Sequence, residues 1–100
     1  MTRDEHLLSC LAEECAEVAQ RVSKALRFGL EEVQPGQPFT NAERIVYELI
    51  DLKAVVGMLE DPKLLAPLGD DSSLVADKVR KVNSFMQYAK AMGALQGEAP

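Results

Sequence analysis

One hundred residues, 47% of them hydrophobic and with no tryptophan, describe a single small globular domain, and a formal charge of −5 makes it acidic. That balance, with a pI near 4.8, counts against duplex nucleic acid or an anionic membrane surface as the main partner, because both reward net positive charge. No apolar run is long enough to span a bilayer, which leaves a soluble, mostly helical chain as the expectation.

A chain of this length buries a limited core by itself, so completion of the core by oligomerisation is expected. The opening MTRDEHLLSC places acids ahead of its apolar residues and holds no long apolar segment. It does not read as a signal peptide, and a cytoplasmic location is expected.

The first helix is predicted over about residues 2–27. Leu7, Leu8, Leu11, Cys15, Val18, Val22, Ala25 and Leu26 form a stripe at the 3.6-residue period. Thr2 followed three residues later by Glu5 makes a capping box, and Gly29 sits where a left-handed residue would end the helix. Glu14 flanks the apolar stripe and shares a face with Leu7, Cys10 and Arg21, while Glu17 lies one step further round near Lys24 and Glu13 points to solvent. Cys10 and Cys15 point about 140° apart, so a mutual disulfide is not expected. With the single His6 they are too few for a cysteine-based metal site.

Residues 28–40 contain Pro35, Gly36 and Pro38 without periodicity and are predicted as a loop. Phe28 and Phe39 are expected to complete the core, the alternative being that one of them covers a ligand.

A second helix, about 41–60, begins at the capping box Thr40-Asn-Ala-Glu43 and ends before Asp61-Pro62. Projection at about 100° per residue gathers Ile45, Leu49, Leu52, Val56 and Leu59 into one stripe, bordered by Val55 and Met58. Glu48 falls between Val55 and Leu52, and Asp51 between Val55 and Met58. Ionised carboxylates there need pairing, hydrogen bonds or a cation. Solvated acids paired to Arg44 and Lys53 are one solution and a bound metal is the other.

The connector 61–71 is turn-rich, with one helical turn expected at Lys63 to Ala66. The third long helix, about 72–93, starts where Asp71 or Ser72 can cap it. Its apolar face comprises Leu74, Val75, Val79, Val82, Phe85, Met86, Ala89 and Met92; Lys78 falls within that face, and Lys81 and Tyr88 lie along one edge. A snorkelling lysine is one account of Lys78, and an anion met inside a bundle is the other. The tail QGEAP is expected to fray.

Two helices thus carry carboxylates at i, i+3: Glu14 and Glu17 on the first, Glu48 and Asp51 on the second. Packed antiparallel, they would converge, and their repulsion would then call for divalent cations. All-oxygen ligation suits Mg²⁺ or Mn²⁺, and carboxylate-held Mg²⁺ is a common grip on polyphosphate. A carboxylate-bridged di-iron bundle normally uses Glu-x-x-His pairs, which one histidine cannot supply.

The runs LAEECAEVAQ and ERIVYELIDL resemble the MazG-like, all-α nucleoside triphosphate pyrophosphohydrolases, whose signature is E-x-x-E on one helix and E-x-x-D on the next. Glu14-Cys-Ala-Glu17 and Glu48-Leu-Ile-Asp51 match it by position, and the resemblance covers about residues 5–90. It implies an antiparallel helical bundle assembled as a homodimer or homotetramer. It also implies a Mg²⁺-dependent enzyme that cleaves an NTP or dNTP to the monophosphate and pyrophosphate. Glu14, Glu17, Glu48 and Asp51 would be metal ligands, with Glu17 or Glu14 as the base. The thirty residues between Glu17 and Glu48 are at the long end for that family, and the excess falls in the Pro-Gly loop. The family's third-helix Lys-x-x-x-Asn-x-x-x-Tyr pattern is blurred here: Lys78, Lys81 and Asn83 supply residue types, while Arg80, Ser84 and Tyr88 supply the spacing. Lys78 and Lys81, with Asn83, are taken as the phosphate contacts. The competing reading is a non-catalytic interaction module whose acids serve structural salt bridges, such as Glu17 with Arg21 and Glu14 with Lys24 elsewhere in the assembly.

Overall fold

The computed structural model describes residues 1–65 and 69–97, and all regular structure among them is helical. Its elements are α1 (Arg3–Phe28), α2 (Asn41–Met58), the single turn α3 (Pro62–Leu65) and α4 (Ser72–Ala91). The chain divides into two compact units, Met1–Pro62 and Lys63–Pro100. Among the described residues no helix is long and apolar enough to cross a membrane. Ala66 and the last three residues of the QGEAP tail lie outside the described residues.

In the first unit α1 and α2 pack as an antiparallel hairpin. Both predicted capping boxes form: Thr2 Oγ1 accepts from Glu5 N–H at 3.1 Å, and Thr40 Oγ1 accepts from Glu43 N–H at 3.1 Å, with each glutamate reaching back to its cap backbone. Gly29 ends α1 at φ 102°, ψ 146°, a positive-φ conformation outside the expected left-handed helical region and one that only glycine adopts readily. The far end is tied by charge. Asp4 accepts from the backbone N–H groups of Glu60 at 3.1 Å and Asp61 at 2.6 Å, and Arg3 donates to the Met58 carbonyl at 2.8 Å. These bonds turn the backbone out of the helix after Met58, two residues before the expected end.

Residues 29–40 fold onto the start of α2. Asn41 N–H donates to the Glu32 carbonyl and Ala42 N–H to the Leu30 carbonyl. The Asn41 side chain, 3% exposed, donates from Nδ2 to the Gly29 carbonyl at 2.8 Å and to Glu32 Oε1 at 2.9 Å. Phe39 packs on Tyr47 with ring centroids 4.7 Å apart. Neither Phe28 nor Phe39 is buried, contrary to the expectation that they complete the core. The polar Asn41 occupies the enclosed position at the foot of this loop instead.

The faces that α1 and α2 share are rotated from the stripes that periodicity picks out. On α1 the enclosed or half-enclosed residues are Asp4, Leu7, Cys10, Leu11, Glu14, Val18, Arg21, Lys24 and Ala25, whereas Leu8, Cys15, Val22 and Leu26 are exposed. On α2 they include Ile45, Glu48, Leu52, Val55, Val56 and Leu59, whereas Leu49 is 46% exposed. Only Leu7, Ala25 and Leu59 are fully buried apolar residues among those described. Val46, Leu49, Ile50 and Met58 of α2 are exposed apolar residues.

In the second unit α4 begins after Asp71, but the capping carboxylate is that of Asp70: its Oδ1 accepts from Ser72 N–H at 3.3 Å and Ser72 Oγ at 2.9 Å. Those bonds lower the Asp70 pKa. Leu74, Val75, Val79, Val82, Phe85 and Met92 are exposed, and Met86 and Ala89 are half-buried. Arg80 pairs with Asp77 on the exposed side of the helix.

Asp4→Ala removes the shared acceptor of two backbone donors at the open end of the hairpin. It should destabilise the protein by roughly 1.5–3 kcal/mol in urea unfolding, as expected for bonds to a charged group. Asp77→Ala, which breaks an exposed pair, should cost under about 0.5 kcal/mol.

Candidate metal centre

The shared faces of α1 and α2 carry the acids that the sequence singles out. Glu14 lies seven residues after Leu7 on α1, and Glu48 seven residues before Val55 on α2, so each falls in the seam between the helices. Glu14 therefore sits within the packed face, where projection had placed it on the flank. Glu14, Glu17 and Glu48 each offer a carboxylate oxygen, and these atoms lie within 4.8 Å of one another. Asp51, the fourth expected ligand, is exposed and stands outside this group of three. Its charge nonetheless reaches both Glu14 and Glu48.

Electrostatics mark the cluster as under-compensated. Glu14 Oε2 and Glu48 Oε2 are enclosed and accept no hydrogen bond. The Glu48 pKa is raised, first by burial, then by the facing Glu17 carboxyl, then by the charges of Glu17, Asp51 and Glu14. Burial leads again at Glu14, followed by Glu17, Asp51 and Glu13, and its pKa also rises. One oxygen of each carboxyl is enclosed while the group as a whole still meets water, so proton uptake and cation binding are both open to it.

Two further residues belong in the same account. Arg21, one turn along α1 from Glu17, has Nη1 enclosed and without an acceptor. It forms no ion pair among the described residues, and neither Glu17–Arg21 nor Glu14–Lys24 is formed within the chain. Sequence alone places Arg21 on the face of Glu14 and gives it only the role of a salt-bridge partner for Glu17; an arginine in a helix seam is the signal that points to a ligand role. Asn41, which anchors the loop, was not singled out at all. Lys78, Lys81 and Asn83 lie on α4 in the second unit, the lysines exposed and Asn83 half-buried. Cys10 and Cys15 are both free, and His6 is exposed.

The donor set fits a hard divalent cation. It is all carboxylate, drawn from two helices, and includes enclosed oxygens with unused lone pairs. No imidazole or thiolate joins the cluster, which is the ligand chemistry zinc favours.

The raised carboxyls fix a pH dependence. A group that binds its proton more tightly when folded contributes stability that is fully present below its unfolded pKa, about 4.5 for glutamate, and is lost as pH rises through the folded value. The metal-free protein should thus melt at progressively lower temperature as pH rises from about 4.5 towards neutrality. Glu48→Gln keeps the shape and removes one titrating charge. Its melting temperature in chelator at pH 7.5 should exceed that of the wild type and vary less with pH; equal slopes for the two proteins would refute the electrostatic account.

Scanned against protein-family models, the chain matches none, and no curated protein or solved structure matches it.

Proposed function

We propose that this chain is a Mg²⁺-dependent nucleotide pyrophosphohydrolase that cleaves an NTP or dNTP to the monophosphate and pyrophosphate. One observation carries the reading: three glutamates from two helices bring ligand atoms within 4.8 Å of one another with two enclosed oxygens unpartnered. The E-x-x-E and E-x-x-D spacing that resembles the MazG-like enzymes supports it, since that is the acid set such a reaction uses.

Glu14, Glu17 and Glu48 would hold the cation, with Asp51 completing the set from the exposed edge; Mn²⁺ can replace Mg²⁺ on such ligands. When bound, the ion supplies Lewis-acid polarisation of phosphoryl oxygens and offsets charge on the leaving pyrophosphate. The chain's own residues supply the rest. Glu14, its basicity raised by burial and by neighbouring acids, is the carboxylate suited to take a proton from the water that attacks the α-phosphorus; Glu17 is the alternative base. Arg21 offers an enclosed, unpartnered donor one turn away, suited to a phosphate oxygen. Lys78, Lys81 and Asn83 stand as the α4 contacts that the family resemblance implies.

Assembly as a homodimer or homotetramer is part of the proposal. It is supported by the thin apolar core of the hairpin and by the open apolar residues of α2 and α4. The rival reading, a non-catalytic interaction module, also accounts for those open faces. It needs the acids to be paired structurally; Glu17–Arg21 is not formed within the chain, and Glu14–Lys24 is a pair that this reading places between copies.

With Mg²⁺ and a panel of nucleotides, the purified chain should release pyrophosphate from at least one NTP or dNTP. Glu48→Ala should lower kcat by more than about 100-fold, beyond the 10–100-fold typical of losing an outer-shell partner. Arg21→Ala should lower kcat/KM by about 10- to 100-fold, the cost of one charge-assisted bond. No turnover across the panel, with a melting temperature unmoved by millimolar Mg²⁺ and nucleotide, would favour the rival.

A further inference from the structure

On the side opposite Glu48, α2 carries a second patterned face. Seven-residue spacing sets Glu43, Ile50 and Gly57 in one row and Val46 and Lys53 in another, and the two rows alternate three and four residues apart. That alternation is the pattern of a helix-pairing seam. Val46 and Ile50 at its centre are 52% and 53% exposed, and Glu43, Lys53 and Gly57 are exposed as well. Leu49 borders the rows on one side and Tyr47 on the other, both open to water.

This face is complementary to itself when reversed. Its two charged residues, Glu43 and Lys53, stand five positions before and five positions after Glu48. Two copies of α2 packed antiparallel about that level oppose residues equally far on either side of it, so each Glu43 faces Lys53 of the second copy. Val46 then meets Ile50 of the second copy between the two charge pairs. Parallel packing would instead set Glu43 on Glu43 and Lys53 on Lys53. The charges are available for such pairing. Glu43 Oε1 accepts from Thr40 N–H at 3.1 Å, which leaves Oε2 for an ammonium group, and Lys53 forms no ion pair among the described residues.

Shape agrees with the same register. A hollow of about 260 Å³ on this face is lined by Ala42, Glu43, Val46 and Tyr47, and Ile50 of the second copy stands level with its Val46 wall. Towards the end of the pair Gly57 comes level with Phe39 of the second copy. A Cβ added at Gly57 would meet nothing within 4 Å in the chain, so that position has room for a ring.

We propose that this face of α2 binds the same face of a second copy of the chain, antiparallel and centred at the level of Glu48. The proposal rests on the assembly reading above, which it deepens, and takes nothing from the nucleotide chemistry. The apolar rows supply the attraction, and the Glu43–Lys53 pairs select antiparallel over parallel packing. Because the carboxylate cluster lies on the other side of α2, each hairpin keeps its own set of acids.

Sedimentation equilibrium of the full chain should show reversible self-association. Ile50→Glu places a good helix former at an exposed position, and should raise the dissociation constant about 100-fold or more with helical content by circular dichroism unchanged. Val22→Glu, on the exposed side of α1, should change that constant by less than about threefold. Lys53→Glu sets like charges against each other and should weaken association about tenfold. Adding Glu43→Gln, which keeps a capping box, should recover about threefold or more of that loss. Within one chain the two positions lie roughly 15 Å apart along the helix, so the recovery reports contact between copies. A chain that stays monomeric overturns this interface together with the assembly reading. Association indifferent to Ile50→Glu overturns this interface and leaves the assembly reading standing, and absence of recovery by Glu43→Gln overturns the antiparallel register.

Discussion

Glu14 and Glu48 take up seam positions between α1 and α2 where apolar side chains of similar size would cost the fold less. The rest of the hairpin is arranged around that cost. Its two ends are fastened by polar links, Asp4 and Arg3 to the backbone at the end of α2, and Asn41 to the loop after α1. Leu7, Leu59 and Ala25 supply its buried apolar residues. Between those fastenings the seam holds carboxylates whose proton affinity is raised because their charged forms are poorly accommodated there. A hairpin held at both ends and strained electrostatically in the middle is suited to receiving a compensating charge at mid-length.

Much of this was legible from local chemistry. Both capping boxes and the glycine after α1 depend on residues within a few positions of each other, and each forms. The carboxylate spacing likewise pointed to Glu14, Glu17 and Glu48, whose oxygens the hairpin brings together, but it did not separate Asp51, which stands outside that group. The phase of packing was not legible. Each helix of the hairpin is apolar over more than one face, so Leu49 and Val22 satisfy the 3.6 period as well as the residues that are enclosed, and periodicity alone cannot choose between faces. What chooses is the register that Asp4 imposes by bonding Glu60 and Asp61, more than fifty residues away in sequence. The same reason explains Asn41: its value lies in three carbonyl or carboxylate partners that only the folded loop assembles.

The rotated seam and the open apolar residues are one fact seen from two sides. Turning Glu14 and Glu48 inward turns Leu8, Val22, Leu49 and Ile50 outward, and these are the residues that the proposed assembly would cover. Assembly would then restore the apolar burial that the acids displace. Within such an assembly the carboxylates would be less hydrated than in the single chain, and their demand for a cation stronger.

Arg21 sharpens the choice between a structural and a ligand-binding role for the cluster. A guanidinium with an enclosed nitrogen stands one turn from Glu17, the same seam holds two enclosed carboxylate oxygens, and neither the nitrogen nor the oxygens have a hydrogen-bond partner. Were the acids present only to be neutralised, one salt bridge between them and the guanidinium would satisfy both. A bare divalent cation would satisfy the carboxylates and leave Arg21 unpaired; a bare phosphate would do the reverse and be repelled by the acids. A cation carrying polyphosphate oxygens satisfies both at once, because it presents positive charge to Glu14, Glu17 and Glu48 and anionic oxygens to Arg21. The two unmet needs in the seam are therefore complementary in charge, and it is this complementarity that supports the proposed metal–nucleotide ligand over a purely structural role.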